Sequence, residues 1–134
     1  MPKSTQEQEV LIIGDDFIPG AQANSEIDYL LGYNTHMLES QAIRSEKFGC
    51  SFAPDYCGDG EATRLELQRL GVEPLILTTI DKNKKRKAKD PLSDPLYFFT
   101  ASFIFNDEHH ITKPFDTEEL ALSCALWYVL AYHS

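Results

Sequence analysis

Short apolar runs alternate with amphipathic segments along the chain, and this pattern predicts alternating strands and helices. Glu9–Gly14 and Pro74–Ile80 are continuous apolar blocks, as expected of strands buried on both faces of a sheet. Residues 21–31 and 61–71 instead carry leucine and isoleucine at helical spacing, and a glycine follows or closes each segment. These four segments predict two strands and two helices.

Between the first two predicted helices, the pattern of apolar and polar residues indicates secondary structure less clearly. The apolar residues there predict further short elements, and the turn-forming residues that follow predict a loop. The predicted elements are a strand at Tyr33–Leu38, a short helix at 39–49, a strand at 50–53 and a turn-rich segment at 54–60.

Residues 96–105, "LYFFTASFIF", are compatible with a strand or a helix. The aromatic side chains favour a strand. The flanking residues favour a helix, because Ser93 or Asp94 can cap it, Pro95 suits its first position and Asn106 suits its end. We favour the helix, followed by a short strand at "HHIT" and a closing helix.

The closing helix is predicted at Asp116–His133. Strands and helices then alternate along the whole of residues 9–134, which predicts one α/β domain with a parallel five-stranded sheet between two layers of helices. Residues 1–8 are predicted to be a flexible N-terminus.

The charge of the chain is unevenly distributed. The net charge is −9, yet the run "KNKKRKAK" holds six of the twelve basic residues, so the remainder has 6 basic against 21 acidic residues, a balance of −15. An acidic body disfavours nucleic acid as a partner. We predict that residues 81–94 form an exposed basic loop, because like charges repel.

Two further features bear on the compartment. The polar N-terminus and the absence of an apolar run of roughly 20 residues predict a cytoplasmic protein that does not enter a membrane. Cys50, Cys57 and Cys124 lack the spacing of a zinc site and are predicted to be free thiols.

Charged and hydroxyl side chains follow three of the predicted parallel strands. Asp15 and Asp16 follow the first, Thr78 and Thr79 end the fourth, and Lys113 follows the fifth. Ligands of open α/β sheets bind at this edge. Two carboxylates suit Mg²⁺, and an ammonium with a hydroxyl suits a phosphoryl group. The same residues also fit a helix cap, a surface turn and an ordinary strand.

The motifs "VLIIGDD", "LLGY", "EPLILTT" and "ITKPFDTEEL" together resemble a response-regulator receiver domain of the chemotaxis-regulator type. The resemblance covers most of the chain and implies a flavodoxin-like sheet of order 2-1-3-4-5. It also implies that Asp15 and Asp16 bind Mg²⁺ and that Lys113 contacts the phosphoryl group, with a cis Lys113–Pro114 peptide.

The same resemblance implies two switch residues. Thr79, or Thr78 in a register one residue shorter, would be the hydroxyl that follows the phosphoryl oxygen. His110 stands where the family has a mobile aromatic side chain.

Three departures from the receiver pattern concern phosphorylation. Phe52 occupies the position of the phosphoacceptor, and Asp55 takes that role only if the loop is shortened. Ile80 is bulky where the family has a small residue. The segment from Thr79 to Lys113 is also long. We therefore expect weak or absent phosphorylation.

Our first hypothesis is a stand-alone, receiver-like signalling domain of a two-component phosphorelay pathway. It would act without enzymatic activity, by contact with a histidine kinase or another signalling protein. The alternative is an acidic α/β binding or inhibitor protein without phosphoryl chemistry. A small phosphate-handling enzyme fragment ranks last, because the chain has no glycine loop that could cradle a phosphate.

Overall fold

A computed structural model of the protein describes residues 10–80 and 97–132. Within those ranges, strands and helices follow one another in an order that does not alternate strictly. The elements are β1 (Val10–Ile13), α1 (Ala21–Leu30), β2 (Thr35–Leu38), β3 (Gln41–Glu46), β4 (Gly49–Phe52), α2 (Gly60–Arg69), β5 (Leu75–Ile80), β6 (Tyr97–Phe105), β7 (Glu108–Thr112) and α3 (Glu118–Tyr132).

The larger of two sheets has four strands in the order β1-β7-β6-β5. Only the β1–β7 pair is parallel, and the other two pairs are antiparallel. The predicted five-stranded parallel sheet of order 2-1-3-4-5 is therefore wrong. The main cause is a hairpin: Asn106 and Asp107 both have positive φ, 54° and 62°, which turns β6 directly back into β7.

The helix predicted over residues 96–105 is wrong, because this segment is strand β6. Its side chains alternate between two environments with the period of a strand. Ala101, Phe103 and Phe105 are buried, whereas Ile104 between them has 59% of its surface exposed. The aromatic composition was the better of the two signals.

The second sheet is antiparallel, in the order β2-β3-β4. Strand β3 replaces the short helix that we predicted over residues 39–49. Two tight turns make this possible: Glu39 adopts a φ of 60° between β2 and β3, and Gly49 adopts a φ of 152° at the start of β4. The strands predicted at Tyr33–Leu38 and at residues 50–53 are present, but they pair in this separate sheet.

The three helices predicted most strongly are confirmed. Gly32 has a φ of 110° directly after α1, Asp59 caps α2 by accepting from the Ala62 amide at 3.1 Å, and Thr117 caps α3 by accepting from the Leu120 amide at 3.1 Å. Helix α3 lies on one face of the four-stranded sheet and also contacts α1 and α2. The core forms between α3 and this face.

Strands β1 and β5 lie where we predicted strands, but they are not buried on both faces. They form the two edges of the four-stranded sheet. Ile12 in β1 has 71% of its surface exposed and Leu75 in β5 has 63%. Their apolar runs therefore belong to strands that are covered on one face only by the described part of the chain.

Two predictions fall on parts of the chain outside the described residues, namely the flexible N-terminus at 1–8 and the basic loop at 81–94. In residues 10–80 and 97–132, none of the helices has both the length and the apolar character needed to cross a membrane.

Candidate functional site

Asp15, Asp16 and Lys113 lie at the same end of the parallel β1–β7 pair. The Lys113 amide donates a hydrogen bond to the Ile13 carbonyl oxygen at 2.9 Å, which places the lysine beside Gly14. Both aspartates follow Gly14 directly and are exposed. The Lys113–Pro114 peptide is trans, so the predicted cis bond is wrong.

Thr78 and Thr79 lie apart from this group. They are in β5, at the opposite edge of the sheet from β1, with β6 and β7 between them. Three strand spacings separate the two edges, roughly 14 Å. The structure therefore does not bring these hydroxyl groups together with Asp15 and Asp16.

Asp55 lies in the turn that leads into α2. Its Oδ1 accepts hydrogen bonds from the Asn24 side-chain amide at 3.0 Å and from the Gly58 backbone amide at 3.2 Å. Phe52, at the position expected for the acceptor, has 68% of its surface exposed at the end of β4 in the other sheet. Neither residue lies at the end of a strand in the four-stranded sheet.

His110 is part of the core, with 1% of its surface exposed. Its ring stacks on Phe103 with centroids 5.3 Å apart and lies 5.0 Å from the Tyr128 ring. Its Nδ1 is 3.0 Å from the Glu108 carbonyl oxygen. This packing fixes the ring on β7, where the receiver pattern has a mobile side chain.

The described residues offer two adjacent carboxylates to the Mg²⁺ ion that the resemblance implies. Asp15 and Asp16 are adjacent and exposed, and no group of three or more histidine, cysteine, aspartate or glutamate side chains suited to a metal occurs within residues 10–80 and 97–132. Mg²⁺ binding at this edge would rest on two carboxylates and water.

A buried polar cluster surrounds Asp28, a residue that sequence reasoning did not single out. Its carboxylate, with no exposed surface, accepts hydrogen bonds from Thr35, Arg44 and Tyr56, the last at 2.8 Å. Burial raises the pKa of Asp28, but these hydrogen bonds outweigh burial and hold its pKa below the ordinary value. The partners come from β2, β3 and the loop before α2, so the cluster joins the second sheet to α1.

This cluster is structural in character. Burial and the Asp28 hydrogen bond raise the pKa of Tyr56 well above its usual value, so the phenol stays protonated. Among the described residues, every buried side-chain nitrogen and oxygen atom has a hydrogen-bond partner. A polar group held ready for a ligand is therefore not visible there.

The three cysteines are free, as predicted, and two of them are shielded. Burial raises the pKa of Cys57, whose sulfur lies 3.5 Å from the Gly20 amide nitrogen. Burial also raises the pKa of Cys124 to about 12. Neither thiol has the lowered pKa of a nucleophilic cysteine.

The face of the four-stranded sheet opposite α3 is uncovered by the described helices. We call it the open face. The strand register places eleven side chains on it, and none of them is an aspartate, glutamate, lysine or arginine. They are Val10 and Ile12 of β1, His109 and Ile111 of β7, Phe98, Thr100, Ser102 and Ile104 of β6, and Leu75, Leu77 and Thr79 of β5.

A groove of about 310 Å³ runs between the second half of α3 and the edge of β1 that pairs with no strand of residues 10–80 and 97–132, which we call the free edge. We call it the edge groove. Aromatic side chains of α3 form one wall and the strand forms the other. The lining consists of Leu11, Ile12, Ile13, Gly14, Asp15, Asp16, Trp127, Tyr128 and Tyr132. The groove is therefore lined by aliphatic and aromatic side chains beside β1 and by two carboxylates where β1 ends.

Sequence reasoning missed both surfaces. Residues 97–105 contained a signal for the open face, since the buried set of alternate positions is wholly apolar and the other set still includes Phe98 and Ile104. In comparisons with known proteins, no family model, curated protein or solved structure matches this chain.

Proposed function

We propose that this protein is a binding protein that acts by contact with another protein at the open face of its four-stranded sheet, without phosphoryl chemistry. The observation that carries the proposal is the composition of this face. Seven of its eleven side chains are apolar and none is formally charged, in a chain whose net charge is −9. Exposed apolar patches of this size mark interaction sites in soluble proteins.

The size of the open face suits a specific interface. Ile12, Leu75 and Ile104 each expose more than half of their surface, and their neighbours are partly exposed. The eleven side chains extend over all four strands, and a standard interface takes roughly 800 Å² from each partner.

Charge complementarity selects the kind of partner. Glu73, Asp107 and Glu108 are exposed at one end of the strands, and Asp15 and Asp16 are exposed at the other. A partner that presents an apolar patch flanked by lysine and arginine meets both the face and its acidic ends. A second copy of this chain with the same ends together would bring Glu73, Asp107 and Glu108 of the two copies against each other, so we propose a basic protein.

The receiver hypothesis loses its structural support. It required a hydroxyl and an acceptor carboxylate at the strand ends beside Asp15 and Asp16, but Thr79 lies at the opposite edge of the sheet and Asp55 lies in the turn before α2. What we retain from it is action by protein–protein contact. The cytoplasm is the proposed location, because three free thiols suit a reducing compartment.

The test compares affinity purifications with the wild-type chain and two lysine variants. Ile104→Lys places a charge in the open face, and Leu65→Lys places the same charge on α2, where Leu65 is 50% exposed. We expect basic proteins that the wild type and Leu65→Lys retain equally and that Ile104→Lys retains at least about tenfold less, a loss of about 1.4 kcal/mol.

A binding isotherm with the purified partner then gives the affinity of each variant. Equal recovery with all three proteins would contradict the proposal. So would a dimer of this chain that dissociates in Ile104→Lys, since it would make the second copy the occupant of the face.

A further inference from the structure

We infer that the free edge of β1 and the edge groove bind an extended peptide segment as an added strand, with a lysine or arginine at its N-terminal end beside Asp15 and Asp16. This surface shares only Ile12 with the open face, and the inference does not depend on the proposed function. It identifies a second type of partner, namely an extended segment that carries a basic residue at its N-terminal end.

The backbone of β1 is oriented for strand addition. The Ile13 carbonyl oxygen accepts from the Lys113 amide, so Ile13 directs its backbone groups towards β7. Successive residues of a strand direct these groups to opposite sides. The N–H and C=O of Ile12 therefore point to the free edge, where an added strand would bond to them.

The edge groove can receive half of the side chains of the added strand. Side chains alternate across a strand, so every second side chain of the segment would face α3. Trp127, Tyr128 and Tyr132 lie there, and their rings suit apolar groups. The Tyr128 and Tyr132 rings are 4.6 Å apart, which makes this wall a continuous aromatic surface.

The charge at the end of the groove sets the direction of the segment. Strand β1 runs towards Asp15 and Asp16, so a segment antiparallel to it begins at these carboxylates. Antiparallel pairs are slightly more stable than parallel ones. A lysine or arginine at the N-terminal end would pair with the aspartates, whereas an acidic residue there would be repelled.

Two synthetic peptides test this directly. Both are capped at their ends and read Lys-Val-Thr-Val-Thr-Val or Glu-Val-Thr-Val-Thr-Val. Neither contains tryptophan, so Trp127, the single tryptophan of the chain, reports binding by its fluorescence. We expect saturable binding of the lysine peptide and roughly fivefold weaker binding of the glutamate peptide, as two exposed charge pairs would give.

Two variants of one residue separate backbone from side-chain effects. Ile12→Pro removes the outward N–H of an edge strand, where proline is tolerated, and Ile12→Thr keeps it. Binding of the lysine peptide should fall at least about tenfold in Ile12→Pro and stay within about threefold in Ile12→Thr. Ile104→Lys, in the open face, should leave it unchanged.

Amide hydrogen exchange in the wild-type protein tests the same contact without any substitution. The Ile12 amide should gain protection when the lysine peptide is bound. An unchanged exchange rate at Ile12 in the bound state would overturn the inference. Absence of saturable binding, or equal affinity of Ile12→Pro and Ile12→Thr, would do the same.

Discussion

Arg44 on β3 donates hydrogen bonds to both carboxylate oxygens of Asp28 on α1, and the carboxylate has no exposed surface. The Tyr33 ring covers the other side of the guanidinium, 3.6 Å from its central carbon. This pair joins the three-stranded sheet to α1, which in turn contacts α3. Loss of Arg44 would leave the buried Asp28 carboxylate without a charged partner, with hydrogen bonds from Thr35 and Tyr56 only.

We predict that Arg44→Ala lowers the free energy of unfolding by about 3 kcal/mol, because breaking a buried ion pair strands the remaining charge. Urea denaturation measures the change. Arg69→Ala is the matched control, since Arg69 pairs with Glu66 at 3.1 Å on the surface of α2. That change should stay within about 0.5 kcal/mol. Equal losses in the two variants would contradict a structural role for the Asp28 cluster.

Asp28 also predicts a dependence of stability on pH. Its pKa is lowered in the folded protein, so its charged form contributes stability above the ordinary aspartate value of 3.8, and this contribution is lost as the pH falls through the folded pKa. Melting temperatures measured between pH 7 and pH 3 should fall in the acid range. Asp28→Asn should be less stable at pH 7, and its difference from the wild type should shrink below pH 4. A constant difference would contradict the lowered pKa.

Gly14, at the end of β1, leaves little space for a side chain. It has a φ of 111°, and a Cβ atom added there would lie 2.9 Å from the Cys124 sulfur. Gly32 has nearly the same φ, 110°, but no atom within 4 Å of such a Cβ. Gly14→Ala should therefore cost more free energy of unfolding than Gly32→Ala, which carries only the backbone strain of about 1 kcal/mol. Cys124→Ala should reduce the difference between the two, and equal costs would show that the contact yields without strain.

The thiols should react with iodoacetamide in a fixed order. Cys50 is exposed, Cys57 is half-buried with a raised pKa, and Cys124 is buried with a pKa of about 12. At pH 8 in the native state we expect rapid modification of Cys50, slow modification of Cys57 and none of Cys124. Peptide mass spectrometry at successive times measures the extent of modification at each cysteine. Urea should make all three react alike. Modification of Cys57 before Cys50 would indicate an activated thiol beside α1.

The helices were predictable because their signals are local. Gly32 stops α1, and the residues at the starts of α2 and α3 supply caps, so the chain nearby contains the whole argument. Strand pairing has no such signal. Apolar runs such as Val10–Ile13 look the same in a strand buried on both faces and in an edge strand beside an open apolar face. The one local clue was the Asn106–Asp107 pair, which suits a two-residue hairpin turn.

The candidate site was misjudged for the same reason. We placed Asp15, Thr79 and Lys113 at one edge by assuming that all strands are parallel. Strands β1, β7 and β5 do point the same way, but β6 lies between β7 and β5. The order of strands, which the sequence pattern does not specify, separates Thr79 from the other two.

The chain should not accept a phosphoryl group. A carboxylate nucleophile needs a metal and a cation beside it to neutralise the charge on the transferring group. Asp55 instead accepts hydrogen bonds from Asn24 and Gly58 in the turn before α2. Incubation with acetyl phosphate and Mg²⁺ should therefore leave the intact mass unchanged.

Asp55→Asn is the control that locates any phosphoryl group found. It should show the same unchanged mass as the wild type, because no group of three or more side chains suited to a metal occurs among the described residues. A stoichiometric gain in the wild type that disappears in Asp55→Asn would restore phosphorylation as the function of this chain. A gain that persists in Asp55→Asn and disappears in Asp15→Asn would place the acceptor at the end of β1. That second result would also link phosphorylation to the edge groove, since an added negative charge there would strengthen binding of the lysine peptide.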